Sequence, residues 1–263
     1  MGFKISPVLQ EQMCRMGSKH TFEEASEEIA RMMRLQVNAK QVERLCHCYG
    51  EALEQIDWKE AYSDSVQLNF PGLPQSPVYC MADGSMVLTR EDKWKEIKLG
   101  RVFSGDSHVE GISKNRGMIT SSTYCAHLGN SNVFWEKFSK DIPMHRQHVF
   151  ICDGSKWLWN YIDDCYPNSV QILDFYHCKE HVCQFSSEYF KDHVEGDAFV
   201  KEVMYLLCDK KVDAALEKIQ QLEAHKKATT VHKQKLLQYL TNNRKRRDYG
   251  SYLEKGLLIG SSP

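Results

Sequence analysis

Two Asp-Gly-Ser tripeptides follow apolar, strand-like runs, in "VYCMADGSMVL" (78–88) and "HVFICDGSKWLWN" (148–160), and supply the carboxylates Asp83 and Asp153. In an open α/β sheet, reactive groups lie where strands end and the chain turns into a loop or helix. Two carboxylates brought together repel each other, and a hard cation relieves the repulsion. Paired Mg²⁺ ions about 4 Å apart serve phosphoryl transfer. If the two strands are sheet neighbours, the pattern indicates a carboxylate site for that chemistry.

A plainer interpretation of both tripeptides stays open, because Asp-Gly is a frequent turn dipeptide. The glycines would then serve tight turns, or a close approach of backbone or ligand. Ser155 is placed to cap the helix that follows Asp153. Two copies on either side of a β-β-α segment favour the site over two unrelated turns.

A third group of polar residues follows the last predicted strand, in "LDFYHCKEHVC", where Asp174 and His177 lie three residues apart. One interpretation is a zinc site of His177, His181, Cys178 and Cys183, although this spacing fits no common ligand pattern. The other interpretation is an Asp/His cluster beside the two carboxylates. The sequence leaves both open.

The elements that must position these residues follow an α-helical region predicted for residues 1–60. Ser6 and Pro7 form an N-cap and first-turn pair, and Thr21 with Glu24 forms a capping box. The second and third predicted helices are joined by about five residues. This arrangement fits a helix-turn-helix, and it fits a generic αα-hairpin equally well.

The rest of the chain divides by composition and periodicity. Residues 61–77 contain three prolines and are predicted to be a linker. Residues 78–177 alternate as β-β-β-α-β-α-β, with "GMITSSTYCAHLG" as the third strand, which predicts an α/β domain with a mixed sheet and helices packed on it. Residues 178–255 show only helical periodicity, and residues 256–263 begin a further segment.

The charge near the end of the helical region has one sign. No acidic residue occurs between positions 224 and 247, and a solvated helix face of mixed charge does not account for such a block. Binding of phosphate groups does account for it, so the block predicts contact with nucleic acid. The predicted DNA-binding residues are Lys226, Lys227, Lys233, Lys235, Arg244, Lys245, Arg246 and Arg247.

Bulk composition limits the class of protein. No run of 18 apolar residues occurs, so no membrane span or membrane partner is expected. The N-terminus lacks the apolar stretch of a signal peptide, so a cytoplasmic location is expected. The ten cysteines are scattered, and without an export signal reduced thiols are expected.

In order, "ADGSMVL…WKEIKLGRVF", "HVFICDGSKWLWN", "SVQILDFYHCKEHV" and "GLLIGSSP" resemble the DDE-type transposases of bacterial insertion sequences, closest to the Kra group. The N-terminal "SPVLQEQMCRMGSKHTFEEASEEIA" is also similar to the helical, DNA-binding lead-in of that family. The resemblance implies an RNase H-like fold for residues 78–177. It also implies that residues 178–255 form the all-α insertion before the last catalytic helix.

The resemblance implies roles for individual residues. Asp83 and Asp153 match the first and second catalytic aspartates, each a ligand of Mg²⁺ (or Mn²⁺) in the two-metal site of a complete enzyme. Asp174 and His177 match the Asp-x-x-His signature of the family. The implied partners are double-stranded DNA, as element ends and target, and a second copy in a dimer that pairs two ends at the nucleoid.

One departure from the family concerns the third carboxylate, a glutamate that follows a Gly-Ser turn such as "IGSSP" within a few residues. The sequence stops at Pro263, and Glu254 precedes the turn. The expectation is therefore a C-terminally truncated, inactive transposase fragment. The alternatives are a non-catalytic DNA-binding protein derived from a transposase, and a nuclease of the same fold.

Overall fold

In a computed structural model the chain forms two compact units, Met1–Leu73 and Pro74–Pro263. The described residues are 5–55, 76–90, 93–110, 117–223 and 227–260. The linker predicted at 61–77 lies outside them, except for its last two residues. Within these ranges, no helix combines the length and the apolar character needed to span a membrane.

The described part of the first unit is helical, as the sequence predicted. Its helices are α1 (Pro7–Gly17), α2 (Phe22–Met33) and α3 (Ala39–Gln55). Their inner faces share a core of Met13, Ala25, Ile29, Val42 and Leu45. The link between α2 and α3 is five residues long, so the helix-turn-helix interpretation stays a prediction alongside the plain hairpin.

Helix starts in this unit follow their capping signals. The Ser6 hydroxyl accepts a hydrogen bond from the Leu9 backbone N–H (3.3 Å), and Pro7 occupies the first turn. Thr21 Oγ1 accepts from the Glu24 N–H (3.3 Å), while Glu24 Oε2 accepts from the Thr21 N–H (3.0 Å). The predicted capping box is therefore confirmed, and it satisfies N–H groups that have no partner inside the helix.

The second unit is an α/β domain, as predicted. Its strands are β1 (Val78–Thr89), β2 (Lys93–Ser104), β3 (His108–Glu110), β4 (Gly117–Ile119), β5 (Thr123–Leu128), β6 (His148–Cys152) and β7 (Val170–Leu173). Its helices are α4 (Ser131–Phe138), α5 (Lys156–Cys165), α6 (Phe175–Tyr189), α7 (His193–Cys208), α8 (Val212–Gln221), α9 (Lys227–Asn242) and α10 (Tyr249–Glu254).

Five strands form a mixed sheet in the order β5-β2-β1-β6-β7. The pairs β1–β2 and β2–β5 are antiparallel, whereas β6 runs parallel to both β1 and β7. The first strand of the domain thus lies at the centre, beside its hairpin partner on one side and the fourth strand of the sheet on the other.

The sheet separates two apolar layers, because successive side chains of a strand point to opposite faces. One face, which includes Cys80 and Ala82 of β1, packs against α4 and α5. The other face, which includes Tyr79 of β1 and Ile151 of β6, packs against the helices α6 to α9. The helical region after β7 therefore supplies the cover for one face of the sheet.

Two details of the predicted strands are wrong. The segment "GMITSSTYCAHLG" is not one strand, since Gly117–Ile119 pairs with β3 in a separate two-stranded sheet and only Thr123–Leu128 joins the main sheet. The strand β1 does not end at its Asp-Gly-Ser either. It continues to Thr89 because β2 pairs with it along its full length.

Candidate active site

The two aspartates lie on adjacent strands at matching positions. The parallel pairing of β1 with β6 ends at Ala82 and Cys152, and Asp83 and Asp153 are the next residues of their chains. Neighbouring strands are about 4.8 Å apart, and side-chain alternation puts both aspartates on the face that α6 to α9 cover. The condition set by the sequence, that these two strands be neighbours, is confirmed.

Asp153 is held by the turn that it begins. Its Oδ1 accepts from the Ser155 backbone N–H (2.9 Å), and its Oδ2 accepts from the Ser155 hydroxyl (2.7 Å). Ser155 occupies the N-cap position of α5, but its side chain makes no capping hydrogen bond. The predicted capping role is therefore wrong, because the hydroxyl donates back to Asp153.

Asp83 lies in the middle of a strand and not at a strand end. Its backbone is opposite Leu99 of β2, within a continuous ladder. Its Oδ1 accepts from the N–H of the next residue, Gly84 (2.7 Å). About half of the Asp83 side chain is exposed, which leaves the carboxylate open to solvent or to a ligand.

Asp174 closes the same edge of the sheet. Its backbone N–H donates to the Cys152 carbonyl (2.8 Å), so the end of β7 is fixed to the residue before Asp153. Its carboxylate is the N-cap of α6 and accepts from the N–H groups of Tyr176 (2.8 Å) and His177 (3.1 Å). A carboxylate is favoured there by the positive end of the helix.

His177 lies in the first turn of α6 and not on the strand, and it faces Asp83. The distance from His177 Nε2 to Asp83 Oδ2 is 3.8 Å, and that from Nδ1 to Glu180 Oε2 is 3.6 Å. These are ion-pair distances when the imidazole is protonated. The structure thus brings together Asp83, Asp153 and His177, with Asp174 as the residue that positions the helix.

Tyr239 of α9 is a residue of this region that the sequence did not indicate. A Cβ on Gly154 would lie 2.5 Å from its ring, so the glycine permits the close approach. Its ring centroid is 3.9 Å from that of His181. The Tyr239 hydroxyl is buried without a hydrogen bond among the described residues, and burial raises its pKa. Its position within the basic block of the sequence gave no signal that it would pack beside Gly154 and His181.

His181 lies one turn after His177 on the same helix. The side chain is exposed, and its ring packs against that of Tyr239. Partial desolvation, followed by the charge of His177, lowers the pKa of His181, while Glu180 and Asp153 act in the opposite direction. The neutral imidazole is therefore favoured.

The resemblance implies Mg²⁺ or Mn²⁺, and the side chains of the site fit such an ion in part. Mg²⁺ prefers oxygen ligands, keeps several waters and is often held by one or two carboxylates together with substrate phosphates. Asp83 and Asp153 fit that chemistry as a partial ligand set. Among the described residues, no group of three or more His, Cys, Asp and Glu is arranged to hold a metal ion.

The zinc interpretation gains no support from the same region. Cys178 is fully buried in the core under α6, and burial raises the pKa of its thiol to about 11. Cys183 is exposed on the same helix. A buried, protonated thiol is a poor zinc ligand, because the thiolate is the form that binds the metal.

Three of the eight predicted DNA-binding residues make polar contacts within the domain. Lys233 Nζ donates to the carbonyls of Gln220 and Leu222 (both 2.7 Å). The Arg244 guanidinium is 3.1 Å from an Asp213 carboxylate oxygen. These two side chains tie α9 and the turn after it to α8.

Arg246 is a third engaged residue. It donates from Nε to Gln171 Oε1 (2.6 Å), pairs with Asp163 (3.1 Å) and lies 4.4 Å from the centroid of the Trp159 ring. It therefore fixes the basic segment to β7 and α5.

Arg247 does not reach the surface, contrary to its predicted role. Its side chain is fully buried, and none of its three guanidinium nitrogens has a hydrogen-bond partner within the described residues. Burial lowers its pKa, while Cys178 acts in the opposite direction. In this structure the guanidinium is not available to a DNA phosphate.

The exposed members of the block are Lys235, Lys245 and Arg244, and of these Arg244 is paired with Asp213. Lys226 and the side chain of Lys227 lie outside the described residues. DNA contact by this block stays a prediction, now centred on the two exposed lysines.

Compared with known proteins, the chain matches no family model and no curated protein sequence. The residues of the candidate site are therefore the basis for a functional proposal.

Proposed function

We propose that this chain contains the catalytic core of a DDE-type transposase, an enzyme that cleaves and joins DNA strands. The observation that carries the proposal is the matched placement of Asp83 and Asp153. They follow the last residue pair of two adjacent parallel strands and lie on one face of the sheet. Paired carboxylates in this arrangement suit metal-dependent phosphoryl transfer.

The strand arrangement supports an RNase H-like fold for residues 78–177. The strands of the main sheet and the helices α4 and α5 follow each other as β-β-β-α-β-α-β. The first three strands are successively antiparallel, and the first and fourth are parallel neighbours. This is the succession that the resemblance implied.

Mg²⁺ or Mn²⁺ would be held by Asp83 and Asp153 and would supply the electrostatic stabilisation that a transferring phosphoryl group needs. Ser155 keeps the Asp153 carboxylate in place with two hydrogen bonds. His177, 3.8 Å from Asp83, would position that carboxylate or a nearby phosphate oxygen. Asp174 acts on the site through α6, whose start it caps.

The segment Gly256–Gly260 runs to the same edge of the sheet. The Leu258 N–H donates to the Tyr79 hydroxyl (3.2 Å), and the Ile259 carbonyl accepts from the Phe175 N–H (3.0 Å). Phe175 directly follows Asp174. This course supports the proposal that a third carboxylate after the Gly-Ser turn would join the two aspartates.

The test is nicking of supercoiled plasmid DNA with Mg²⁺ or Mn²⁺, by this chain and by the chain fused to the C-terminal segment of a related transposase. We expect the fused chain to cut, and Asp153→Asn to reduce cutting by more than about 100-fold, because loss of a direct ligand exceeds the loss found for outer-shell partners. Asp164→Asn, an exposed carboxylate of α5, is the matched control and should cut normally.

A second candidate is a non-catalytic DNA-binding protein. The observation that favours it is that the described residues contain no three-donor metal group. It predicts that both forms of the chain bind DNA with a steep salt dependence and that neither cuts. Cutting by Asp153→Asn at the normal rate would contradict the transposase proposal itself.

A further inference from the structure

A cavity of about 250 Å³ lies between α6 and α9. Its lining comes from two turns of each helix: His181, Gln184, Phe185, His232, Lys235 and Leu236. Phe185 and Leu236 are buried and form an apolar floor. The polar members lie around that floor, towards solvent.

The chemistry of the lining favours an anion. Two imidazoles, one ammonium and one carboxamide can all donate hydrogen bonds, and no carboxylate of the described residues lines the cavity. An ionised acceptor such as a phosphate oxygen forms the stronger, charge-assisted kind of hydrogen bond with such donors. The apolar floor offers no competing acceptor.

The key donors of the cavity are free for a ligand. Lys235 and His232 make no ion pair or hydrogen bond within the described part of the chain, whereas Lys233, one residue after His232, is committed to two backbone carbonyls. Lys235 is exposed, and His232 is half-buried. The cavity is thus lined by hydrogen-bond donors that make no other polar contact within the described part of the chain.

The cavity also adjoins the candidate active site through a short chain of contacts. Asp153 is followed by Gly154, whose Cα packs against the Tyr239 ring. Tyr239 in turn stacks with His181, which lines the cavity. The Tyr239 and His181 rings therefore lie between the cavity and a DNA strand that passes Asp153.

We propose that this cavity binds a backbone phosphate of the DNA strand whose neighbouring phosphodiester lies at Asp83 and Asp153. The inference rests on the proposed function, since it assigns the substrate strand a second contact beside the same site. Lys235 supplies the charge, and His232 and His181 supply hydrogen bonds. The apolar floor excludes water from one side of the phosphate, which strengthens these bonds.

The experiment measures binding of a fluorescein-labelled DNA duplex of mixed sequence by anisotropy, over a series of KCl concentrations. We expect Lys235→Gln to weaken binding about three- to tenfold and to reduce the slope of log affinity against log salt by about one. His232→Gln should weaken binding with a smaller change in slope. Lys201→Gln is the matched control, because Lys201 is an exposed lysine of α7 remote from the lining residues in sequence.

The outcomes separate this inference from the proposal on which it rests. If the unmodified chain binds no DNA at any salt concentration, both fail. If it binds DNA and Lys235→Gln behaves like Lys201→Gln, the cavity inference alone is overturned. Cleavage that survives in the fused chain while Lys235→Gln binds normally would leave the transposase proposal intact.

A second measurement distinguishes a DNA phosphate from free phosphate. Inorganic phosphate is titrated while the imidazole NMR signals of His181 and His232 are followed, with and without the duplex. We expect the duplex to shift these signals and to block the response to inorganic phosphate. Signals that respond to inorganic phosphate equally in both samples would overturn the inference, because the cavity would then be a free-phosphate site.

Discussion

The two Asp-Gly-Ser tripeptides have the same sequence and are held in different ways. The tripeptide that starts at Asp153 ends a strand and opens a helix, and Ser155 turns back to hold the carboxylate with two hydrogen bonds. The tripeptide that starts at Asp83 lies inside a strand that continues for four more residues, to Thr89, and Ser85 is exposed.

The partner strand accounts for the difference. β2 is as long as β1 and pairs with it to the end, so the backbone at Asp83 is fixed by a ladder on one side. β6 has no such antiparallel partner, and Asp153 depends on its own turn and on the packing of Gly154 against Tyr239. The same three residues therefore rely on different contacts to hold their carboxylates.

Substitution of the glycine in each tripeptide is expected to give the largest difference between the two tripeptides. Gly154→Ala would place a Cβ 2.5 Å from the partly buried Tyr239 ring, which must shift. We expect the free energy of unfolding to fall by about 1–3 kcal/mol, the usual cost of overpacking. Gly84→Ala meets the Glu96 side chain, which pairs with Lys98 and whose end is flexible enough to shift, and should lie within about 1 kcal/mol of the parent. Urea unfolding measures both, and equal losses would contradict the comparison.

The two serines give a smaller contrast. Ser155→Ala removes one hydrogen bond to an ionised Asp153 and should lower the free energy of unfolding by about 1 kcal/mol. Ser85→Ala removes an exposed hydroxyl and should change it by less than about 0.5 kcal/mol. Thermal unfolding of the two variants side by side tests this, and the account predicts a lower Tm for Ser155→Ala only.

His177→Gln is expected to separate function from stability at the Asp83 tripeptide. Both partners of this pair are substantially exposed, so the loss should be no more than about 0.5 kcal/mol. If His177 positions Asp83 or a phosphate, cutting by the fused chain should nevertheless fall. A variant that is destabilised by several kcal/mol would show instead that His177 is mainly structural.

The smallest expected effect is on how stability depends on pH, through His181 near the Asp153 tripeptide. The pKa of His181 is lowered in the folded chain, so the unfolded chain binds more protons as the pH falls through about 6.5, the ordinary histidine value. Acidification from about pH 7 to pH 5 should therefore destabilise the parent more than His181→Gln. His193→Gln, an exposed histidine of α7, is the control. Equal acid sensitivity of all three would contradict this assignment.

Local patterns predicted the elements well, because their signals lie within a few residues. The capping box at Thr21 and the strand His148–Cys152 appear where the sequence placed them. The sequence placed Asp83 late in the first strand or just after it, and the pairing with β2 is what extends β1 through the exposed Met86 and Leu88 to Thr89.

The site itself was predictable only in part. The sequence supplied Asp83 and Asp153 and the condition that their strands be neighbours. It offered an Asp/His cluster beside them as one interpretation, but not the contact between His177 and Asp83, which are distant in sequence and meet through the start of α6. The run of positive residues from 226 to 247 likewise does not indicate which side chains face inward. Arg247 is buried by packing that the composition of the run does not predict.

The central claim is that Asp83 and Asp153 form one metal site. The most direct measurement is Mn²⁺ binding, followed by the loss of the free-ion EPR signal, to the parent, Asp83→Asn, Asp153→Asn and the control Asp164→Asn. The account predicts that either aspartate variant weakens binding by at least about tenfold, while the control binds like the parent. Unchanged binding in both aspartate variants would contradict it, and so would a loss confined to one of the two.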